Sequence, residues 1–285
     1  MTYNNVVIFG ESGVGKSSLV NMVLGKDVAQ TSSSAQGCTF GSAPYKATFS
    51  EYTFTLYDTA GLNEITTVQP KEAVVNLYEL MTRLHEGISL LVYVVRGPRI
   101  KETTLRNYQL FHNILCDRKV PIVLVVTGLE FEEPMSEWWG RNSKAFSQHK
   151  MSFAGQACIT ATRGKMGERY VLEEKYNASC DLVRELIRKG ALPKPWRMDT
   201  QSWFMSVTPR FWQFLEQHFN WESSRISLLR KAIFALGGHS RKDARDLARK
   251  IVKKYEEAKR GNNAQSDTRL PQKSRSSLEH PDSHT

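Results

Sequence analysis

The chain has 285 residues, 40% of them hydrophobic, and a formal charge of +10. This length suits one α/β domain of about 190 residues with an extension and excludes three ordinary domains. No apolar run reaches the roughly 18 residues that a membrane-spanning helix needs, and the first strand begins without a signal-type leader before it, so a cytoplasmic protein is expected.

Asn5 to Phe9 is a short apolar run that reads as a buried strand. It leads into Gly10-Glu11-Ser12-Gly13-Val14-Gly15-Lys16-Ser17-Ser18, a match to G-x-x-x-x-G-K-[ST], and a helix is predicted over Lys16 to Leu24. Chance alone would place this pattern in roughly one sequence in a hundred of this length, and the strand before and helix after it make chance a poor account. The glycines let the backbone approach phosphates and turn its N–H groups inward at a helix N-terminus. Lys16 then bridges the β- and γ-phosphates and the Ser17 hydroxyl ligates Mg²⁺.

Tyr45 to Phe49 and Thr53 to Asp58 flank the turn-like Ser50-Glu51-Tyr52 and predict a hairpin whose first strand lies antiparallel at the sheet edge. Asp58 ends its strand in Leu56-Tyr57-Asp58-Thr59-Ala60-Gly61. In a doubly wound sheet ligands bind beyond the carboxyl ends of the strands, so Asp58 is placed to hold Mg²⁺ and the Gly61 N–H to meet the γ-phosphate. Further strands are predicted at Ser89 to Val95, Pro121 to Val126 and Ala157 to Thr160, alternating with helices at Lys71 to Leu84, Thr104 to Cys116, Glu137 to Ser147 and Arg169 to Arg188. The expected fold is a three-layer α/β sandwich of the P-loop NTPase kind, with a mostly parallel six-stranded sheet, helices on both faces and a helical C-terminal extension. Trp138 and Trp139 are read as core aromatics rather than a base-stacking pair.

Two prolines in Leu192-Pro193-Lys194-Pro195 set a boundary near 190, dividing the chain into a domain over 1–190, an extension over 191–260 and a tail over 261–285. Gln201 to Leu236 is rich in aromatics, including Trp203, Phe204, Phe211, Trp212, Phe214 and Phe219, and is read as a helix packed back on the domain. Ser240 caps a predicted basic amphipathic helix through Lys259, which could lie on an anionic membrane surface, dock on protein or form a coiled coil. The tail is too polar to offset its ordering entropy. About half of the excess positive charge lies from Arg241 onward, so the charge points to no specific nucleic acid. The four cysteines, Cys38, Cys116, Cys158 and Cys180, show no metal-type spacing, and the scattered histidines predict no zinc site.

With the phosphate loop and Asp58-Thr59-Ala60-Gly61-Leu62 in place, residues 4–190 resemble the translation-factor-related class of P-loop GTPases. Within it they look most like the branch of septins and immunity-associated GTPases. The resemblance implies that Thr39, in Gln36-Gly37-Cys38-Thr39-Phe40, contacts Mg²⁺ and the γ-phosphate, and that 58–67 is the second switch. It implies GTP/GDP as ligand, with Thr127, Glu130 and Ala161 at the base. Thr127-Gly128-Leu129-Glu130 departs from the family's [Asn/Thr]-Lys-x-Asp, because Glu130 adds a methylene and Gly128 lacks a stem to cover the base. Leu62 stands where Ras-like members carry the glutamine that orients water. The resemblance therefore implies a nucleotide switch with slow hydrolysis, or hydrolysis assisted by a homodimer across the nucleotide face. The catalytic residue is unassigned, with Asn63, Glu64 and Arg96 near the phosphate end. A non-hydrolysing interaction module and an ATP-dependent P-loop enzyme are the alternatives.

Overall fold

The structure is a computed structural model that describes residues 4–29, 44–59, 84, 86–97, 101–197 and 200–219, together with Asp246 and Arg249. Thr39, Gly61, Leu62, Asn63, Glu64, the predicted helix before Leu84, the aromatic residues beyond Phe219, the rest of the basic 241–259 segment and the 261–285 tail lie outside the described residues.

A six-stranded sheet organises the chain. Its strands are β1 (Asn4–Phe9), β2 (Tyr45–Phe49), β3 (Tyr52–Asp58), β4 (Leu90–Arg96), β5 (Ile122–Thr127) and β6 (Gly155–Cys158). They lie in the order β2-β3-β1-β4-β5-β6. The β2–β3 pair is antiparallel, as the hairpin reading expects, and the other four pairings are parallel.

The central strands are apolar along most of their length because both of their faces are covered, with polar residues only at their ends, Asn4 and Asn5 of β1, Arg96 of β4 and Thr127 of β5. Alternation divides each strand between two cores. Val7, Phe9, Leu91, Tyr93, Ile122, Leu124 and Val126 face one side, while Val6, Ile8, Leu90, Val92, Val94, Val123 and Val125 face the other. Helix α1 (Lys16–Leu24) adds Leu19, Val20, Met22 and Val23 to the second core. On the first, Phe9 stacks between Tyr93 and Phe111 with ring centroids 4.6 and 4.1 Å away.

Two helices differ from their sequence-based reading. The helix expected over Thr104 to Cys116 is an α-helix, α2 (Glu102–Tyr108), that widens into a π-helix over Gln109–Leu115. Its last carbonyls find partners outside the segment, since the Trp203 indole N–H donates to Leu115 O over 2.8 Å and the Arg210 guanidinium donates to Asn113 O. Helix α3 (Glu137–Gln148) follows the expected span. The helix expected from Arg169 starts only at Glu173, as α4 (Glu173–Gly190). Gly167 at φ 62° turns the chain there, forming a small hairpin of β7 (Lys165–Met166) and β8 (Arg169–Tyr170). Glu173 and Glu174 in the first turn of α4, with Arg188 and Lys189 in the last, match the helix dipole.

Beyond Gly190 the chain stays on the domain. Leu192 N donates to Ser89 O over 2.9 Å, and Ile88 and Trp196 exchange two backbone hydrogen bonds of 2.9 Å at the start of β4. Helix α5 (Thr200–Phe219) then lays Trp203, Val207, Phe211 and Phe214 into the first core. Their spacing of three and four residues is one helical stripe, and the side chains of Phe204, Trp212 and Phe219 lie outside the described residues. The helix is fixed by its apolar stripe, the Trp203 hydrogen bond and an Arg210–Asp117 ion pair of 2.7 Å. Trp203 is fully buried, so Trp203→Ala should cost about 3–5 kcal/mol by cavity formation. Chemical denaturation checks this, and a loss below about 1 kcal/mol would show that α5 is not part of the cooperative core.

Candidate functional site

The site forms at the carboxyl ends of β1, β3, β4, β5 and β6. Parallel pairing sets Ile8 of β1 opposite Asp58 of β3. The Thr59 backbone N–H and hydroxyl both reach Ile8 O, at 3.1 and 3.0 Å. Asp58 is thereby fixed beside the loop that leaves β1.

That loop starts with a close approach only glycine permits. Gly10 has φ 151°, and a Cβ there would lie 2.1 Å from Val94 O. The loop closes at Gly15, which has φ 96° and caps α1 in a left-handed conformation. Lys16 is buried, and its ammonium donates to Gly10 O over 2.9 Å and to Glu11 O over 2.7 Å. Ser12 and Gly13 are exposed, while Ser17 and Ser18 are half-buried on the first turn of α1.

Ser17 and Asp58, 41 residues apart, meet directly, with the Ser17 hydroxyl donating to Asp58 Oδ2 over 3.0 Å. A hydroxyl and a carboxylate side by side are hard oxygen donors of the kind Mg²⁺ takes beside phosphate oxygens and water, so the pair fits that ion. Burial raises the Asp58 pKa, and the nearby Lys16 charge and the Ser17 hydrogen bond offset this only in part. A carboxyl whose pKa is higher folded than unfolded holds its proton more tightly in the fold, so stability falls as pH rises through that window. At neutral pH, ionised Asp58 is therefore a cost to the fold that a cation at the same place would relieve.

Glu11 does something the sequence did not reveal. Its carboxylate turns to the start of α2, where the Thr103 hydroxyl donates to it, the Thr104 hydroxyl lies 3.4 Å away and Lys101 pairs with it at 3.3 Å. Its side chain thus braces the loop, leaving its backbone to face a ligand. The partners lie about ninety residues away in the chain, and no local pattern announces them.

Thr127 ends β5, and its buried hydroxyl donates to Val14 O over 2.7 Å. A Cβ built on Gly15 would meet the Thr127 methyl at 3.7 Å and Ala161 at 3.9 Å. The three segments singled out from sequence, 10–18, 127–130 and 160–162, thus converge. Glu130 is half-buried, and its carboxylate accepts from Thr160 Oγ1 over 3.4 Å. Lys175 of α4 donates to Glu130 O over 3.3 Å, and the Ser179 hydroxyl accepts from Thr160 N over 3.2 Å. Leu129 is buried, and Trp138 packs near it around Gly97, where a Cβ would lie 3.0 Å from Leu129 Cδ2 and 3.2 Å from Trp138 Nε1. Trp138 is core, and Trp139 packs against the same cluster.

Among the described residues no group of three or more His, Cys, Asp or Glu is arranged to hold a metal by itself. No described helix is long and apolar enough to cross a membrane. Cys116, Cys158 and Cys180 are free thiols. Since burial of its charge dominates at Asp58, Asp58→Asn should raise the thermal midpoint of the protein without added ligand by about 2–4 °C, the shift for roughly 1 kcal/mol at this size. Calorimetry in metal-free buffer measures it, and a lowered midpoint would show that the ionised carboxylate is net stabilising.

Comparison with known proteins finds GTPases. Residues 5–128 match the family described as 50S ribosome-binding GTPase. GTPase Era of Haemophilus ducreyi is 27% identical over 204 residues, covering 70% of this chain and 60% of that protein. GTPase Era of Actinobacillus pleuropneumoniae is 26% identical over 204 residues with the same coverage. This chain thus spans about 60% of the length of the curated relatives it matches. Among solved structures, a dimerization-deficient variant of Toc33 from Arabidopsis thaliana is 19% identical with a TM-score of 0.47, over 70% of this chain and 88% of that one. Era of Aquifex aeolicus bound to GDP and AlF4⁻ is also 19% identical with a TM-score of 0.47, over 70% and 60% of the two chains. The matched segment runs from β1 through the phosphate loop and Asp58 to the end of β5, and on that match, with the loop geometry around it, the chain has the P-loop GTPase fold.

Proposed function

We propose that this protein is a Mg²⁺-dependent guanine-nucleotide switch that hydrolyses GTP slowly. The observation that supports it most is the meeting of Ser17 with Asp58 at 3.0 Å beside the buried Lys16, in a loop tied to the base segment by the Thr127–Val14 hydrogen bond. Phosphate oxygens would take the inward N–H groups of Gly13 to Ser18 at the N-terminus of α1. The Lys16 ammonium, held at the rim by Gly10 O and Glu11 O, neutralises charge gathering between the β- and γ-phosphates. Ser17 and Asp58 would hold Mg²⁺, which when bound supplies further neutralisation of the β- and γ-oxygens. Glu130 orients a guanine by accepting from its N1 and N2 groups, and the Ala161 backbone meets the base oxygen.

Within the P-loop GTPases, the Gly10-to-Asn21 and Asp58-to-Leu62 segments support the branch of septins and immunity-associated GTPases. Thr39 and Gly61 complete the γ-phosphate contacts in this reading. Leu62 and Gly128 also favour a second reading, a nucleotide-binding interaction module without turnover.

Equilibrium binding of fluorescent GTP and ATP analogues tests the first reading. Lys16→Ala should weaken GTP binding about a hundredfold, the loss for a charge-assisted contact of roughly 3 kcal/mol. Equal affinity for the two analogues would remove guanine selectivity. Phosphate release that depends on GTP and disappears in Ser17→Asn rejects the module reading, and its absence from wild type rejects the GTPase.

A further inference from the structure

The base end of the site has one bare position. Gly128 follows Thr127 at the end of β5 with φ 78°, a left-handed conformation, and it offers no side chain to cover a ring lying between residues 127–130 and Ala161. A purine stacked on one side only would leave its second face to water.

Arg96 occupies the space that a side chain at 128 would need. It ends β4 directly beside Thr127 in the parallel register. A Cβ built on Gly128 would lie 3.0 Å from Arg96 Cγ, 3.6 Å from Cδ and 3.1 Å from Nε. These are successive atoms, so the arginine lies along the glycine instead of pointing away from it. Arg96 is exposed, and its guanidinium has no hydrogen-bond or ion-pair partner among the described residues. Nothing in the packing of the described residues accounts for that placement of the side chain.

The position of the base follows from the loop geometry. Gly15 closes the phosphate loop, and a Cβ built there would be in contact with Thr127 and Ala161, so the ends of β5 and β6 border the loop. A nucleoside that leaves phosphates on residues 13–18 toward those strand ends passes Gly128. A guanidinium is planar, weakly hydrated for a cation and able to stack on a ring face, and its stem supplies apolar cover.

We propose that Arg96 is a nucleotide-binding residue that stacks on the purine ring across Gly128, and that glycine at 128 is required to admit it. A side chain at 128 would be strained by the positive φ and would displace the arginine. The cover acts on the ring face, so it strengthens purine binding of any kind, while choice between guanine and adenine stays with Glu130. The proposal rests on the nucleotide reading above.

The test compares wild type, Arg96→Ala, Arg96→Lys and Lys16→Ala for binding of Mg²⁺-GDP, a non-hydrolysable Mg²⁺-GTP analogue and Mg²⁺-tripolyphosphate, which has phosphates and no base. Because Arg96 is exposed, thermal midpoints should match and exclude misfolding. Arg96→Ala should weaken GDP and the GTP analogue alike by about tenfold and leave tripolyphosphate affinity unchanged. Arg96→Lys, which keeps the stem without the plane, should fall between. Unchanged GDP affinity in Arg96→Ala would overturn the stack. An equal loss for tripolyphosphate would make Arg96 a phosphate contact, and a loss confined to the GTP analogue would make it a γ-phosphate contact; either overturns the proposal. Wild type that binds no GDP, or binds it as well as Lys16→Ala does, refutes the nucleotide reading itself.

Discussion

A buried hydrogen bond ties the phosphate loop to the end of β5. Thr127 donates its hydroxyl to the carbonyl of Val14 over 2.7 Å, and both residues are buried. Such a bond contributes only about 1 kcal/mol net, but a buried partner left without it costs about 1–3 kcal/mol. The phosphate loop is therefore not a free-standing turn. Its shape is dictated at the start by the approach of Gly10 to Val94 O and in the middle by the end of β5. The loop and the end of β5 are thus tied directly to each other.

That coupling extends outward through groups with no direct business with a ligand. Glu11 joins the loop to α2 through Lys101, Thr103 and Thr104. The π-helix that continues α2 is completed by Trp203 and Arg210 of α5. On the opposite side, α4 supports Glu130 and Thr160 through Lys175 and Ser179. A substrate-facing geometry good to a fraction of an ångström needs such backing, since loops held only by their own residues have too much freedom to hold it. The strands supply the rest, for their closely packed faces leave the carboxyl ends nowhere to shift.

The Asp58 carboxylate shows how the fold and the chemistry oppose each other. Burial beside the Ser17 hydroxyl makes it a poor place for an isolated charge, and this same quality makes it a good one for a cation. Sites of this kind give up folding stability for ligand affinity, which is why local consistency between sequence and structure is expected to fail at them first.

Sequence alone determined the strands, their alternation with helices, the phosphate loop and the antiparallel edge, because glycine spacing and apolar runs are local signals that burial on both sheet faces enforces. With the family resemblance it also grouped Lys16, Ser17, Asp58, Thr127, Glu130 and Ala161 as candidate site residues, which parallel topology gathers at the carboxyl end of the sheet. Only the tertiary structure decided that Glu11 braces α2, that Thr127 holds the loop, and that Arg96 lies along Gly128. It also decided where helix gives way to the π segment and to the small hairpin before α4. Those outcomes depend on pairs of residues tens to a hundred positions apart, whose encounter is set by packing and register and leaves no trace in the spacing of either partner.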